Sequence, residues 1–247
     1  MSLPLSRPET AQADRLRVSE TFTSVQGEGK LTGIPSHFVR ISGCNLRCGW
    51  CDTPYASWDP EGDVVPVEDL VRGAAATGVR HVVLTGGEPM LFPAIEPLAG
   101  GLCAAGIHIT IETAGTVCRD MACDLLSLSP KLANSTPRAG DPRDPDGAWR
   151  SRHESRRLNV GVLQSLLDIY PERQFKFVVG SPGDLPEIEA LLSKLRGVAP
   201  GDVMLMPEGV RPPTEATSRW IGEACARRGW RYCRRLHIDL FGNVRGT

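Results

Sequence analysis

The stretch SHFVRISGCNLRCGWCDT, residues 36–53, places a β-branched and aromatic run directly before three cysteines, Cys44, Cys48 and Cys51, spaced C-x3-C-x2-C. The run reads as a strand, so the thiols sit on the loop that leaves it. Three thiolates stand where a metal centre usually takes four ligands. Three cysteines can hold three irons of a [4Fe–4S] cube and leave the fourth open to a small chelating molecule. The competing readings are a zinc knuckle or three unrelated thiols, but structural zinc asks for a fourth protein ligand, often in a second C-x2-C pair, and no such pair is present.

Outward from this stretch the chain alternates short β-rich runs with longer runs of helical period. Strands are expected at 36–42, 80–85, 108–113, 124–129, 174–179 and 203–206, and helices at 66–77, 93–105, 159–170, 184–196 and 214–229. Pro93 suits a helix start, and Gly78, Gly106 and Gly197 suit helix ends. Strand followed by helix, repeated, implies an α/β fold with a parallel sheet and right-handed crossovers. Five or six units are too few for an eight-stranded closed barrel, so an open, partial β/α barrel of about six parallel strands is expected. The 247 residues are read as one domain, with a polar leader over 1–17.

With 28 Lys and Arg against 29 Asp and Glu, nothing in the charge asks for nucleic acid. No apolar run is long enough to span a membrane and the N-terminus lacks the order of a secretory signal, so a cytoplasmic enzyme with free thiols is expected. Cys103, Cys118, Cys123, Cys225 and Cys233 read mainly as small buried residues, a second cluster at Cys118 and Cys123 being the alternative.

In such folds chemistry gathers where loops leave the C-terminal ends of strands. The cysteine loop, TGGEP (85–89), ETAGT (112–116) and SPK (129–131) each follow an expected strand and so share one rim. Together the cysteines and TGGEP resemble the signature of radical S-adenosylmethionine (SAM) enzymes, in which the open iron binds the amino and carboxylate groups of SAM. The resemblance implies cofactor contacts from Trp50, beside the adenine, and from Cys51, Asp52, Gly87, Glu88, Ser129, Pro130 and Lys131. Glu88 is expected to bond a cationic amine, with helix capping as its other reading. The two glycines are read as letting backbone approach a ligand closely.

A narrower resemblance spans nearly the whole chain. QGEG (26–29), FVR (38–40), GCNLRCGWCDT (43–53) and HIDLFGNVRGT (237–247) are similar to the 7-carboxy-7-deazaguanine synthase family of the queuosine and 7-deazapurine pathway. This implies a lyase that converts 6-carboxy-5,6,7,8-tetrahydropterin to 7-carboxy-7-deazaguanine with loss of ammonia. A 5′-deoxyadenosyl radical abstracts a hydrogen atom, Mg2+ assists, an acidic flavodoxin- or ferredoxin-like protein donates the electron, and the enzyme is a homodimer. Substrate contacts are expected from Val25, Gln26, Gly27, Glu28, Arg40, Thr85 and His237, and a magnesium contact from Thr53. A pterin presents an amide-and-amine edge and an anionic carboxylate, which suits Gln26 and the nearby backbone for the one and the planar fork of Arg40 for the other. No side chain is expected to act as a general acid or base in the first step. Lys176 faces the barrel interior if Phe175 and Phe177 pack under helices.

Residues 133–157, rich in Arg, Asp, Pro and Gly, lack a hydrophobic period and read as a surface insertion, with a lid or an electron-donor docking patch as the sharper reading. Two other functions share part of the pattern. A glycyl-radical activase would keep the cysteines and TGGEP, and a non-enzymatic iron–sulfur or zinc protein would keep the cysteines alone.

Overall fold

Along the parallel strands one parity of side chains is largely apolar, while the other carries most of the buried polar groups among a few apolar ones such as Phe38, Val83 and Val178. Val39, Ile41, Val82, Leu84, Ile109, Ile111, Leu126, Leu128, Phe175 and Phe177 are fully buried in the core beneath the helices. The opposite parity, Ser36, Arg40, His81, Thr85, Thr110, Glu112, Ser127, Gln174 and Lys176, turns to the concave face. A two-residue period separates the faces, and burial of the apolar set supplies the driving force for folding.

The computed structural model describes residues 14–247. The leader expected over 1–17 lies outside the described residues as far as residue 13, and from Arg15 onward it is already strand. The strands are β1 (Arg15–Val25), β2 (Pro35–Ile41), β3 (Asp63–Pro66), β4 (His81–Gly86), β5 (His108–Thr113), β6 (Leu125–Leu128), β7 (Arg173–Val179), β8 (Val203–Pro207) and β9 (Arg231–Tyr232). They form one open sheet in the order β3-β1-β2-β4-β5-β6-β7-β8-β9. From β2 to β9 every pairing is parallel, while β1 pairs antiparallel with both β2 and β3. The expected partial barrel thus gains an antiparallel flank on one side and a two-residue strand on the other.

The helices are α1 (Pro54–Ser57), α2 (Val67–Ala76), α3 (Ile95–Ala104), α4 (Ala148–Arg156), α5 (Val160–Ile169), α6 (Leu185–Leu192), α7 (Glu215–Arg228) and α8 (Leu236–Phe241). Asn159 and Thr214 cap α5 and α7 by accepting from the backbone N–H of Val162 and Thr217. Among the described residues no helix is long and apolar enough to cross a membrane.

Two expectations need correction. Strand β1 was not expected because its alternation breaks at a bulge between Val18 and Glu20; Leu16 and Val18 point into the core, and beyond the bulge Glu20 and Phe22 pair with Arg40 and Phe38. The stretch 133–157 is not simply a solvated loop, since it holds α4. Buried Asp144 accepts from the N–H groups of Trp149 (2.9 Å) and Arg150 (2.7 Å) at the start of that helix, and buried His153 bonds Ser135 Oγ at 2.9 Å. A helix held by caps and a buried imidazole leaves little trace in a hydrophobicity pattern.

Candidate active site

The cysteine loop leaves β2 and is tied down by backbone bonds. Gly43 N donates to Ala56 O (2.8 Å), Gly49 N to Ser135 O (2.8 Å) and Trp58 Nε1 to Cys48 O (2.9 Å). Cys44, Cys48 and Cys51 are all free, with Cys48 buried and the other two partly so. Cys51 Sγ lies 3.2 Å from Ser57 Oγ and 3.8 Å from Thr53 Oγ1. Burial pushes the Cys44 thiol up to about 12 and the Cys48 thiol higher still, so these sulfurs become thiolates when a metal takes them. A cube takes each thiolate on a different iron. Trp50 Nε1, beside the loop, is a buried donor without a protein partner. This donor set fits an iron–sulfur cluster with a further ligand beside it.

The loop forms one wall of a cavity of about 320 Å3. Of the expected site residues, Val25, Gln26, Gly27, Glu28, Arg40, Cys44, Cys48, Trp50, Cys51, Asp52, Thr53, Thr85, Gly87, Ser129, Lys131 and His237 all line it. Trp50 packs against Val178, Met204, Met206 and Cys233. Lys131 Nζ lies 5.9 Å from the centre of the Trp50 ring and donates to Ser129 O (2.7 Å) and Ser129 Oγ (2.8 Å). Lys176 turns inward, as the strand period implies, while Phe175 and Phe177 lie in the core.

Glu88 and Pro130 are placed otherwise. Both are buried behind the wall. Both oxygens of Glu88 are taken inside the protein, accepting from Thr113 Oγ1 (2.8 and 2.9 Å), Ala114 N (2.8 Å) and Met90 N (3.1 Å). The carboxylate joins the β4 and β5 loops and caps the short turn at Pro89, the capping reading of this residue. The double glycine also has a protein-internal cause. A Cβ on Gly87 would overlap the Gly43 carbonyl oxygen and lie 2.5 Å from that of Ala56, while Gly87 N and Glu88 N donate to Ile41 O (3.0 Å) and Gly43 O (2.9 Å). Bare backbone here lets the β4 loop lie directly on the cysteine loop.

The same cavity holds a charged array. Lys176 Nζ, 3% exposed, reaches Glu28 Oε2 at 2.7 Å and Glu112 Oε1 at 2.9 Å. Arg235 bonds Glu28 Oε1 at 3.0 Å and also Asp52, beside Cys51. Despite burial, which raises it, Glu28 is held far below the usual carboxylate range by Lys176 and Arg235. Lys176 is lifted above the usual lysine range by Glu112 and Glu28. Thr85 Oγ1 donates to Glu112 Oε2 at 3.3 Å. Burial holds His237 below its ordinary value, so the ring is neutral at pH 7.

Arg40 is neither a free cation nor only a surface pair. Its Nε donates to Glu20 Oε1 at 2.6 Å, and the same carboxylate accepts from Tyr55 OH (2.8 Å) and Arg245 Nε (3.1 Å). Arg245 stands among residues 243–247, which also border the cavity. Glu20, Tyr55, Glu112, Arg235 and Arg245 were not singled out from sequence. Glu112 and Lys176 share the inward parity, so the period carried a signal for Glu112; Glu20 was hidden by the bulge.

Residues 38–143 match the Radical SAM superfamily. The chain is 49% identical over 239 residues to a 7-carboxy-7-deazaguanine synthase of Rhodopirellula baltica, covering 96% of this chain and 91% of the relative. It is 43% identical to the synthase of Halobacterium salinarum, over 99% of this chain and all of the relative. The crystal structure of QueE from Escherichia coli superposes with a TM-score of 0.66 at 26% identity, covering 90% of this chain and 95% of that one. Full-length identity of this order, on a partial barrel whose rim carries three free thiols, establishes that the chain belongs to the 7-carboxy-7-deazaguanine synthase family of radical SAM enzymes, with the [4Fe–4S] cluster and SAM that this membership implies.

Proposed function

We propose that the chain converts 6-carboxy-5,6,7,8-tetrahydropterin to 7-carboxy-7-deazaguanine with loss of ammonia. The observation that carries this reading is what one cavity brings together: three thiols, Glu28 and Glu112 fixed by Lys176, and Arg40. Each carboxylate oxygen already takes one donor and keeps a lone pair for another, so Glu28 and Glu112 can accept from the amine-and-amide edge of a pterin. Arg40, oriented by Glu20, receives the pterin carboxylate, and neutral His237 and Gln26 complete the edge contacts. Cys44, Cys48 and Cys51 would hold the cluster, which with SAM bound would supply the hydrogen-abstracting chemistry.

The protein's own work is to bind, orient and exclude water. Trp50 offers a face to adenine and an unpartnered N–H, and Lys131 and Ser129 face the SAM side. Thr53, whose hydroxyl makes no capping bond to α1, offers an oxygen to Mg2+, which prefers such ligands and shares them with substrate and water. A flavodoxin- or ferredoxin-like donor, a homodimeric assembly and a cytoplasmic setting belong to the same reading. Anaerobic incubation of the reconstituted, reduced protein with SAM, Mg2+ and the carboxypterin tests it. The expected result is a deazapurine carboxylate at many turnovers per enzyme; SAM cleavage without any deazapurine would assign the cavity to another substrate.

A further inference from the structure

Arg47 is the only Lys or Arg between residues 42 and 53. It is 7% exposed, and among the described residues no carboxylate pairs with it. One guanidinium nitrogen donates to the carbonyls of Cys44 (2.7 Å) and Leu46 (2.8 Å), and Nε is buried with no partner. The guanidinium carbon lies 3.9 Å from the centre of the Trp149 ring, a residue of α4, which covers one face of it. The backbone is held separately, since Arg47 N donates to His153 Nδ1 at 3.2 Å.

Two carbonyl bonds do not explain a buried cation, because a neutral amide makes them at far lower desolvation cost. A charge removed from water and left without an anion of its own is destabilising unless an anion arrives. The cysteine loop supplies that anion when loaded. A cube on three thiolates is negative when oxidised and more negative after taking one electron. The bond to the Cys44 carbonyl and the adjacency of Arg47 to Cys48 in the chain hold the guanidinium on the loop that carries the thiols.

We propose that Arg47 is the counter-charge of the iron–sulfur cluster, stabilising its reduced form over its oxidised form and so raising the potential at which an external one-electron donor loads it. One electron passes from the donor to the cluster; no bond forms or breaks at Arg47 and no proton moves. The proposal rests on the assignment of the cysteine loop to a cluster, and α4 takes part through Trp149, which covers one face of the guanidinium.

The test is a potentiometric titration of the anaerobically reconstituted full-length protein, followed by the EPR signal of the reduced cluster, for wild type, Arg47→Gln and Arg47→Lys. At the potential where half of the wild-type clusters are reduced, Arg47→Gln is expected to show a reduced-to-oxidised ratio at least about tenfold lower, equivalent to about 59 mV for one electron. Arg47→Lys keeps the charge and stays within about threefold. A purely structural role moves iron content and melting, yet leaves the potential of correctly loaded protein unchanged, so equal potentials in fully loaded wild type and Arg47→Gln overturn the proposal. Should Arg47→Gln not take up iron, Trp149→Leu decides, because it hydrates the charge without removing it. A fall of about threefold in the same ratio supports the role, and no change overturns it. Absence of a four-iron spectrum in wild type would instead remove the cluster assignment itself.

Discussion

At the scale of single residues, the cavity is set by charges that have no freedom to be otherwise. Lys176 is sealed between Glu28 and Glu112, and removing one partner of a buried pair costs about 3–5 kcal/mol because the other is left uncompensated. Lys176→Met is therefore expected to lower the urea-unfolding stability by that amount. Adding Glu28→Gln to it should recover part of the loss, which a double-mutant cycle measures. The pH sign follows from the two shifts. Glu28 is depressed, so its contribution is present above the ordinary carboxylate range and lost only as pH falls toward its lowered value; Lys176 is raised, so its contribution persists until pH climbs beyond the ordinary lysine range. Glu20 acts at one remove, fixing the fork of Arg40 at 2.6 Å. A hydrogen bond to a charged group is worth about 1.5–3 kcal/mol, so Glu20→Gln is expected to raise KM for the carboxypterin about tenfold with a smaller change in kcat. An unchanged KM would show that Arg40 keeps its place without Glu20.

Among the elements, the contact between the β4 loop and the cysteine loop is a tight constraint. Gly87→Ala must drive Cβ into two backbone carbonyls, those of Gly43 and Ala56, and backbone cannot turn aside as a side chain can. Overpacking of this kind costs about 1–3 kcal/mol or more, and the variant is expected to lose iron on gel filtration as well as stability. Gly73 in α2 is the control, with nothing within 4 Å of its added Cβ, so Gly73→Ala should stabilise the protein by about 0.5–1 kcal/mol in the same assay. The two glycines show what a sequence makes legible. TGGEP could be placed on the rim from the text alone, because a strand and a turn announce themselves locally. Its reason could not, because the carbonyl that excludes a side chain from Gly87 belongs to residue 43 and arrives only with the fold. The six parallel strands and the five longer amphipathic helices were readable for the same local reason. Strand β1, helix α4 and the Glu28–Lys176–Glu112 array were not, since a bulge, a capped polar helix and a tertiary ion network each lack a period.

For the whole molecule, the polar parity that makes the cavity continues below it and ties stability to pH. Beneath the site the concave face holds His81, 4% exposed, between Ser36 Oγ (2.7 Å) and Thr110 Oγ1 (2.8 Å), and Gln174 with Ser127 Oγ at 2.9 Å. Three strands, β2, β4 and β5, meet through one imidazole. Its two hydroxyl partners satisfy a neutral ring, which has one donor and one acceptor nitrogen, and a charged ring would have to donate from both. Burial, with His108 nearby, pushes His81 down to about 4. The unfolded chain therefore binds a proton that the folded chain refuses, so stability from this group is complete above about pH 6.5 and is lost as pH falls toward 4. A shift of about 2.5 units corresponds to roughly 3 kcal/mol at the acid end. Urea midpoints of the metal-free protein between about pH 7 and 4.5 should fall for wild type, and His81→Asn, which keeps a donor and an acceptor but cannot titrate, should show a shallower slope from a lower starting stability. Parallel slopes in the two proteins would mean that the acid sensitivity of the barrel arises elsewhere and that the imidazole is not the group joining the three strands' stability to pH.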